Sequence, residues 1–295
     1  MYTEFSSCNI CPRNCGVNRN KNEVGFCGAT DKAEVCKTAL HFGEEPIISG
    51  TNGSGTIFFA HCNLGCIYCQ NFEISSHNCK GKIYYAKELS AKMLNLQGNG
   101  AHNINFVTPT QYMPIIKDSV KIAREMGLNI PIVYNTSGYE KPEIIKNLNE
   151  TVDIFLTDLK YFSPYYSGKY SKAPDYFDSA TDSIKQMVQN VGAPILDQNG
   201  ILKKGVIIRH LMLPTMLSDT LQVLRQISKH FGDSVYVSLM RQYTPVAKNL
   251  PEELCGEVNI EDYSMAVELF EELGLQGFLQ ERESIGTELI PKWDI

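Results

Sequence analysis

The sequence predicts an α/β fold of repeated strand–helix units with a small cysteine-rich extension at its amino end. Three observations lead there. From residue 51 onward, short β-rich runs alternate with amphipathic helical stretches. Residues 1–50 lack such a period and hold five of the ten cysteines. Finally, a chain of 295 residues with 43% hydrophobic and 20% charged residues has enough apolar material for a sizeable core.

The strand candidates are Thr56–Ala60, Asn103–Val107, Ile130–Asn135, Asp153–Asp158, Gly205–Leu211, Val235–Met240 and Gly277–Leu279. Their near-continuous apolar character suits parallel strands covered on both faces. Between them, Ile116, Val120 and Ala123 share a helical face that stops at Gly127. Leu221, Leu224, Ile227 and Phe231 form a second face, with Ser218-Asp219 expected as the cap and Gly232 as the stop. Met265, Ala266, Leu269, Phe270 and Leu273 form a third, ended by Gly274. The aromatic stretch from Tyr161 to Phe177 reads as a long βα loop packed over the sheet. Such units build either an open doubly wound sheet or a (β/α) barrel, and in both the ligands gather at the carboxyl ends of the strands. The domain boundary is expected at residue 50, giving a 1–50 metal-binding extension and a 51–295 main domain.

The cysteines carry the chemistry. In a chain of this size ten are too few for a disulfide-stapled scaffold, and clustered thiols in a reducing compartment point to metal. Cys8, Cys11, Cys15 and Cys27 supply four thiolates, a full set for tetrahedral zinc or for a [4Fe–4S] cluster, in a structural or electron-relay role. The second set is Cys62-x3-Cys66-x2-Cys69, directly after a predicted strand and with Tyr68 before its last member. Three thiolates from one loop hold three irons of a [4Fe–4S] cluster and leave the fourth iron for another ligand. Gly65 is expected to let the backbone wrap the cluster. Two alternatives stand beside this reading: a zinc site completed by His61 or Cys79, and an electron-transfer cluster with a distant fourth cysteine.

This loop resembles the signature of the radical S-adenosylmethionine (radical SAM) superfamily. Within it the chain is similar to pyruvate formate-lyase (glycyl-radical enzyme) activating-enzyme-like proteins, a likeness covering roughly residues 50–280. The resemblance implies a partial (β/α)6-type TIM barrel. It also implies S-adenosylmethionine chelated to the open iron and cleaved by one electron to a 5′-deoxyadenosyl radical that abstracts a hydrogen. The residues it brings to the cofactor are Tyr68 beside the adenine, Asn71 supporting the loop, and Asp158-Leu-Lys160 near the methionine carboxylate. Asn135-Thr-Ser137-Gly resembles the family's Asp-Thr-Asn-Gly. The family's Gly-Gly-Glu, which receives the methionine amino group, is replaced by Thr108-Pro-Thr110-Gln, so hydroxyls stand where an acid is usual. Arg209 at the end of the Gly205–Leu211 run joins this set, and Arg241-Gln-Tyr243 stands where the family has a proline-tyrosine-histidine run and is expected near the ribose.

The expected substrate is a protein or peptide, with a glycyl-radical enzyme as candidate partner and a flavodoxin- or ferredoxin-type protein as reductant. Two other functions fit the same residues: radical SAM modification of a small molecule or RNA, and an iron–sulfur scaffold without radical chemistry. The net charge of −6, from 27 Lys+Arg against 33 Asp+Glu, gives no electrostatic reason for a nucleic-acid partner. The absence of a long apolar run, and a start without the regions of a signal peptide, lead to an expected cytoplasmic location without membrane attachment.

Overall fold

A computed structural model describes residues 1–77, 79–247, 249–280 and 293; the remainder of the 51–295 domain expectation lies outside the described residues. In chain order the elements begin with β1 (Ala33–His41), α1 (Pro46–Ser49) and β2 (Ser54–Phe59). After the second cysteine loop come α2 (Phe72–Ser75), β3 (Lys82–Tyr84), α3 (Ala86–Gly98), β4 (Ile104–Val107) and α4 (Met113–Glu125). Then follow β5 (Ile132–Thr136), α5 (Pro142–Lys146), β6 (Ile154–Asp158), α6 (Pro164–Ser171), α7 (Tyr176–Val191), β7 (Ile195–Leu196) and β8 (Leu202–Leu211). The last are α8 (Leu217–Phe231), β9 (Tyr236–Met240), α9 (Ile260–Glu272) and β10 (Gly277–Leu279).

The sheet runs β10-β9-β8-β6-β5-β4-β2-β1-β3, with β7 off this path against β8. From β2 to β10 all neighbours are parallel, as the helical crossovers require. β1 and β3 add antiparallel strands at one edge, and the two ends of the sheet do not pair. The result is an open, partial barrel. All seven predicted strands are present.

One face of the sheet packs against helices. Ile116, Val120 and Ala123 of α4, and Leu224, Ile227 and Phe231 of α8, are buried there as their spacing predicts. The opposite face looks into the barrel, where Ile48 of α1 packs on Val133, Ile154, Leu156, Leu202 and Ile207. The short α1 therefore plugs the bottom of the barrel and leaves the carboxyl ends of the strands open.

Four local readings change. Met265 is half exposed, because α9 presents Tyr263, Ala266 and Phe270 to the core and Met265 falls off that stripe. Asp219 does not cap α8; it lies inside the helix, and its carboxylate accepts from the backbone N–H groups of Phe162 (3.1 Å) and Ser163 (2.8 Å). The Tyr161–Phe177 stretch is not a loop. Ser163 caps α6, accepting from Tyr165 N–H, and Pro164 occupies the first helical turn, a start signal that the aromatic density obscured. Residues 33–41 form a strand without clean alternation, because most of β1 is only partly buried. β1 pairs with β2 across the boundary set at residue 50, and Phe5, Ile10, Ala29, Ala33 and Val35 belong to the main core.

Candidate active site

The loop between β2 and α2 carries Cys62, Cys66 and Cys69 to the open end of the barrel, where all three line a cavity of about 750 Å³. Tyr68, Asn71, Thr108, Asn135, Ser137, Asp158, Lys160 and Arg209 line the same cavity. Parallel pairing puts the ends of β4, β5, β6 and β8 side by side, so residues more than a hundred positions apart meet there. Thr110 is elsewhere. Its hydroxyl donates to the buried Glu140 carboxylate (2.5 Å), and it lines a separate void beside the amino-terminal cysteines. His61 and Cys79, the alternative fourth ligands, do not line the cavity. His61 contacts the Ser76 carbonyl (3.2 Å) and Glu34 (3.6 Å), and the Cys79 sulfur lies 3.2 Å from that of Cys36.

The thiols are held by neighbours from separate elements. Cys66 Sγ is 2.9 Å from Ser171 Oγ, which bonds Tyr161 Oη (2.8 Å), which in turn bonds Tyr68 Oη (2.6 Å). This chain pins the loop to α6. Cys62 Sγ accepts from Leu64 N–H (3.4 Å), and Cys69 Sγ from Ser75 Oγ (3.5 Å). Burial pushes the Cys62 and Cys66 thiols up, Cys66 to about 11, although Lys160 pulls Cys66 the other way. A bound cation would convert them to thiolates, since metal coordination deprotonates a thiol. The glycine of the loop is also close to neighbouring protein. A Cβ on Gly65 would meet Lys172 (3.3 Å) and Phe26 (3.4 Å), so the missing side chain makes room for neighbouring protein.

Opposite the thiols, Lys160 Nζ lies 2.5 Å from Asp158 Oδ2. Burial alone would lower the lysine, but Asp158 and the Cys66 sulfur outweigh it and keep the ammonium charged. The turn after β5 is built on Gly138, at φ +80°, where a Cβ would sit 2.3 Å from the Asp158 carbonyl oxygen. Among the described residues three buried polar atoms of the lining have no protein partner: Ser137 Oγ, Asn71 Oδ1 and Thr244 Oγ1. The Asn71 backbone carbonyl accepts from Ile74 and Ser75 N–H, which leaves its side-chain Oδ1 facing the cavity without a protein partner. Unpaired buried groups beside three thiols are what a cavity built for a polar cofactor leaves behind.

The floor holds two glutamates that the sequence pattern did not reveal, both paired with Arg209. Arg209 donates through Nε to Glu45 (2.8 Å), and through Nη2 to Glu45 (2.7 Å) and to Glu44. Glu44 also accepts from Asn105 Nδ2 (2.8 Å) and Asn135 Nδ2 (3.3 Å). Asn135 and Arg209 are therefore engaged with two glutamates from the segment before α1. Glu44-Glu45 lay in the region read as the metal-binding extension, and no local spacing marked them.

The four amino-terminal cysteines line a second, small void of about 20 Å³, together with Arg13, Arg19, Asn63 and Gln111.

Comparison with known proteins agrees with this geometry. A family model described as the Radical SAM superfamily matches residues 56–192. The uncharacterized protein MJ0674 of Methanocaldococcus jannaschii is 32% identical over 284 residues, covering 92% of this chain and 76% of that one. MJ0808 of the same organism is 27% identical over 176 residues, covering 54% of this chain and 50% of its own. Among solved structures, the FeFe-hydrogenase maturase HydG from Carboxydothermus hydrogenoformans superposes with a TM-score of 0.52 at 14% identity, over 77% of this chain and 52% of HydG. The chain thus spans about half the length of HydG and of MJ0808. No helix among the described residues is long and apolar enough to cross a membrane. The shared fold, the three-thiol loop at the strand ends, and the family match together mean that the chain belongs to the radical SAM superfamily.

Proposed function

We propose that this protein is a radical SAM enzyme of the activating-enzyme-like kind, abstracting a hydrogen from a protein or peptide, with a backbone glycine as the leading target. One observation carries the reading: Cys62, Cys66 and Cys69 line the same 750 Å³ cavity as the Asp158–Lys160 pair and the unpartnered Ser137 hydroxyl. The family implies a [4Fe–4S] cluster and S-adenosylmethionine. Bound there, they supply reductive cleavage of the sulfonium to a 5′-deoxyadenosyl radical.

The chain's own residues do the rest. The three thiolates hold the cluster on a loop fixed through Ser171, Tyr161 and Tyr68. The Lys160 ammonium, kept charged by Asp158, faces the cavity as a partner for a carboxylate. Ser137, Asn71 and Thr108 offer hydrogen bonds to the polar parts of the cofactor. Tyr68, its phenol tied to Tyr161, would hold the adenine through its backbone. Asn135 and Arg209 act from the floor with Glu44 and Glu45, which supply the acid that Thr108-Pro-Thr110 lacks near strand β4. The amino-terminal cysteines bind a metal, making residues 1–50 a metal-binding extension of the 51–295 barrel. The working compartment is the reducing cytoplasm, with a flavodoxin- or ferredoxin-type protein as reductant.

The charged floor favours a second reading, in which a small polar molecule enters the barrel in place of a peptide. The test is anaerobic reconstitution, reduction with dithionite and addition of S-adenosylmethionine. Release of 5′-deoxyadenosine is expected, and its absence with an intact cluster returns the chain to the scaffold reading. Mixing with a glycyl-radical enzyme encoded beside this chain should produce a glycyl signal in electron paramagnetic resonance (EPR). Deoxyadenosine without that signal favours the small molecule.

A further inference from the structure

We propose that Cys36 and Cys79 form a reversible disulfide that staples the segment after the cysteine loop to β1 when the chain meets an oxidant. The linkage does not depend on what Cys62, Cys66 and Cys69 bind, and it lies apart from them. Among the described residues neither Cys36 nor Cys79 lines the large cavity or the amino-terminal void.

The backbone brings the two sulfurs together from opposite sides. β1 pairs antiparallel with β3 through Ala33, Glu34 and Val35, a ladder that ends at Val35↔Lys82, one residue short of Cys36. On its other edge β1 pairs with β2, and that ladder is irregular between Val35 and Lys37, so Cys36 falls at a bulge. A bulge re-aims the side chain it carries. Gly81, just before β3, approaches β1 so closely that a Cβ there would lie 2.8 Å from the backbone N and C of Val35. Only a residue without a side chain lets the two segments touch in this way. Cys79, two positions earlier, is thereby carried to the bulge, and its sulfur lies 3.2 Å from that of Cys36. A disulfide bond is about 2.05 Å long, so closing it takes a side-chain adjustment of about 1 Å.

The neighbours hold both arms in place. Glu34 Oε2 accepts from Gly81 N–H (3.4 Å), and Glu34 Oε1 lies 3.6 Å from His61 Nε2. His61 Nδ1 in turn contacts the Ser76 carbonyl (3.2 Å). Cys79 is buried with Phe58, Ala60, Ile74 and Val107, whereas Cys36 is half-buried. Burial raises both thiols above the ordinary cysteine value, so in a reducing compartment the pair rests as a dithiol.

The oxidant is a low-molecular-weight disulfide. The more accessible Cys36 sulfur attacks it, forms a mixed disulfide and releases one small thiol. The Cys79 sulfur then attacks Cys36 and releases the second. Two protein S–H bonds and the small S–S bond are lost, and one protein S–S bond forms. The two small thiols carry away two protons and two electrons. The chain between the two cysteines includes β2 and the whole Cys62–Cys69 loop, so the bond closes a ring around them. Such a cross-link restricts the unfolded chain and keeps the loop's frame while its three thiols are unligated.

The test uses the full chain, metal-free and reduced, then treated with oxidised glutathione. Remaining thiols are alkylated, and the digest is read by mass spectrometry. A peptide pair joined through Cys36 and Cys79 is expected, separated again by dithiothreitol. Alkylation of either cysteine, or its linkage elsewhere, overturns the proposal. Oxidation should also raise the thermal midpoint by about 5 °C in the wild type and not in Cys36→Ser or Cys79→Ser. An equal rise in the variants, or none in the wild type, overturns the staple. Peptide mapping on the wild type stands even where a variant fails to fold. Failure of S-adenosylmethionine cleavage would sink the proposed function and leave the linked peptide unaffected.

Discussion

Replacing Glu140 by Gln should flatten the pH dependence of stability. Glu140 is fully buried; one oxygen accepts from Thr110 Oγ1 and Thr136 Oγ1, each at 2.5 Å, and the other has no partner. Burial raises its carboxyl from 4.5 to about 7, although the hydroxyls of Thr110, Thr136 and Tyr134 oppose the shift. A raised carboxyl stabilises the fold in its protonated form. That contribution is complete below the unfolded value of 4.5 and is lost as pH climbs through about 7. At 1.36 kcal/mol per unit the full loss is about 3 kcal/mol, of which about 2 kcal/mol falls between pH 5.5 and 8.5. His210 works in the opposite sense. Its ring is buried between the Leu159 carbonyl (2.7 Å) and Thr220 Oγ1 (3.0 Å), and burial lowers it to about 4. Its contribution is present above 6.5 and lost as pH falls through about 4, and it is common to both proteins, so it cancels in their difference. The assay is denaturant unfolding of wild type and Glu140→Gln, anaerobically, from pH 5.5 to 8.5. The variant should gain about 2 kcal/mol on the wild type across that range. Parallel curves would refute a buried, titrating Glu140.

Other perturbations probe the cavity directly. Cys66→Ala should abolish 5′-deoxyadenosine release, because the loop then holds too few thiolates; retained turnover contradicts the ligand assignment. Gly138→Ala should cost at least about 2 kcal/mol in unfolding free energy, since a side chain at φ +80° is strained and overlaps the Asp158 carbonyl. An unchanged midpoint would show that the turn yields freely. Arg209→Met leaves Glu44 and Glu45 together without their cation, for an expected loss of about 3–5 kcal/mol. A loss under about 1 kcal/mol would mean that protonation or water relieves the pair.

The barrel was legible because its code is local. Apolar runs such as Ile154–Asp158 and the helical spacing of Leu224, Ile227 and Phe231 each carry their own period, and parallel pairing then follows from the helical crossovers. The cysteine loop was legible for the same reason, as three cysteines within eight residues. What stayed hidden depends on distant partners. Glu44 and Glu45 acquire meaning only against Arg209, about 165 positions away, and nothing near them in sequence marks a barrel floor. Thr110 sits two residues from Thr108 yet turns to Glu140, because Thr108 adopts φ +57° and a short 3-10 turn follows it. Asp219 looked like a cap for its own helix, while the loop before α6 had two free N–H groups to offer it.

The most direct test is the EPR spectrum of protein with Cys8, Cys11, Cys15 and Cys27 replaced by alanine, reduced with dithionite before and after adding S-adenosylmethionine. A cluster on Cys62, Cys66 and Cys69 with one iron facing the cavity must change its g-values when the methionine end binds. A signal that is present and indifferent to S-adenosylmethionine would mean that the fourth iron is closed, contradicting the account.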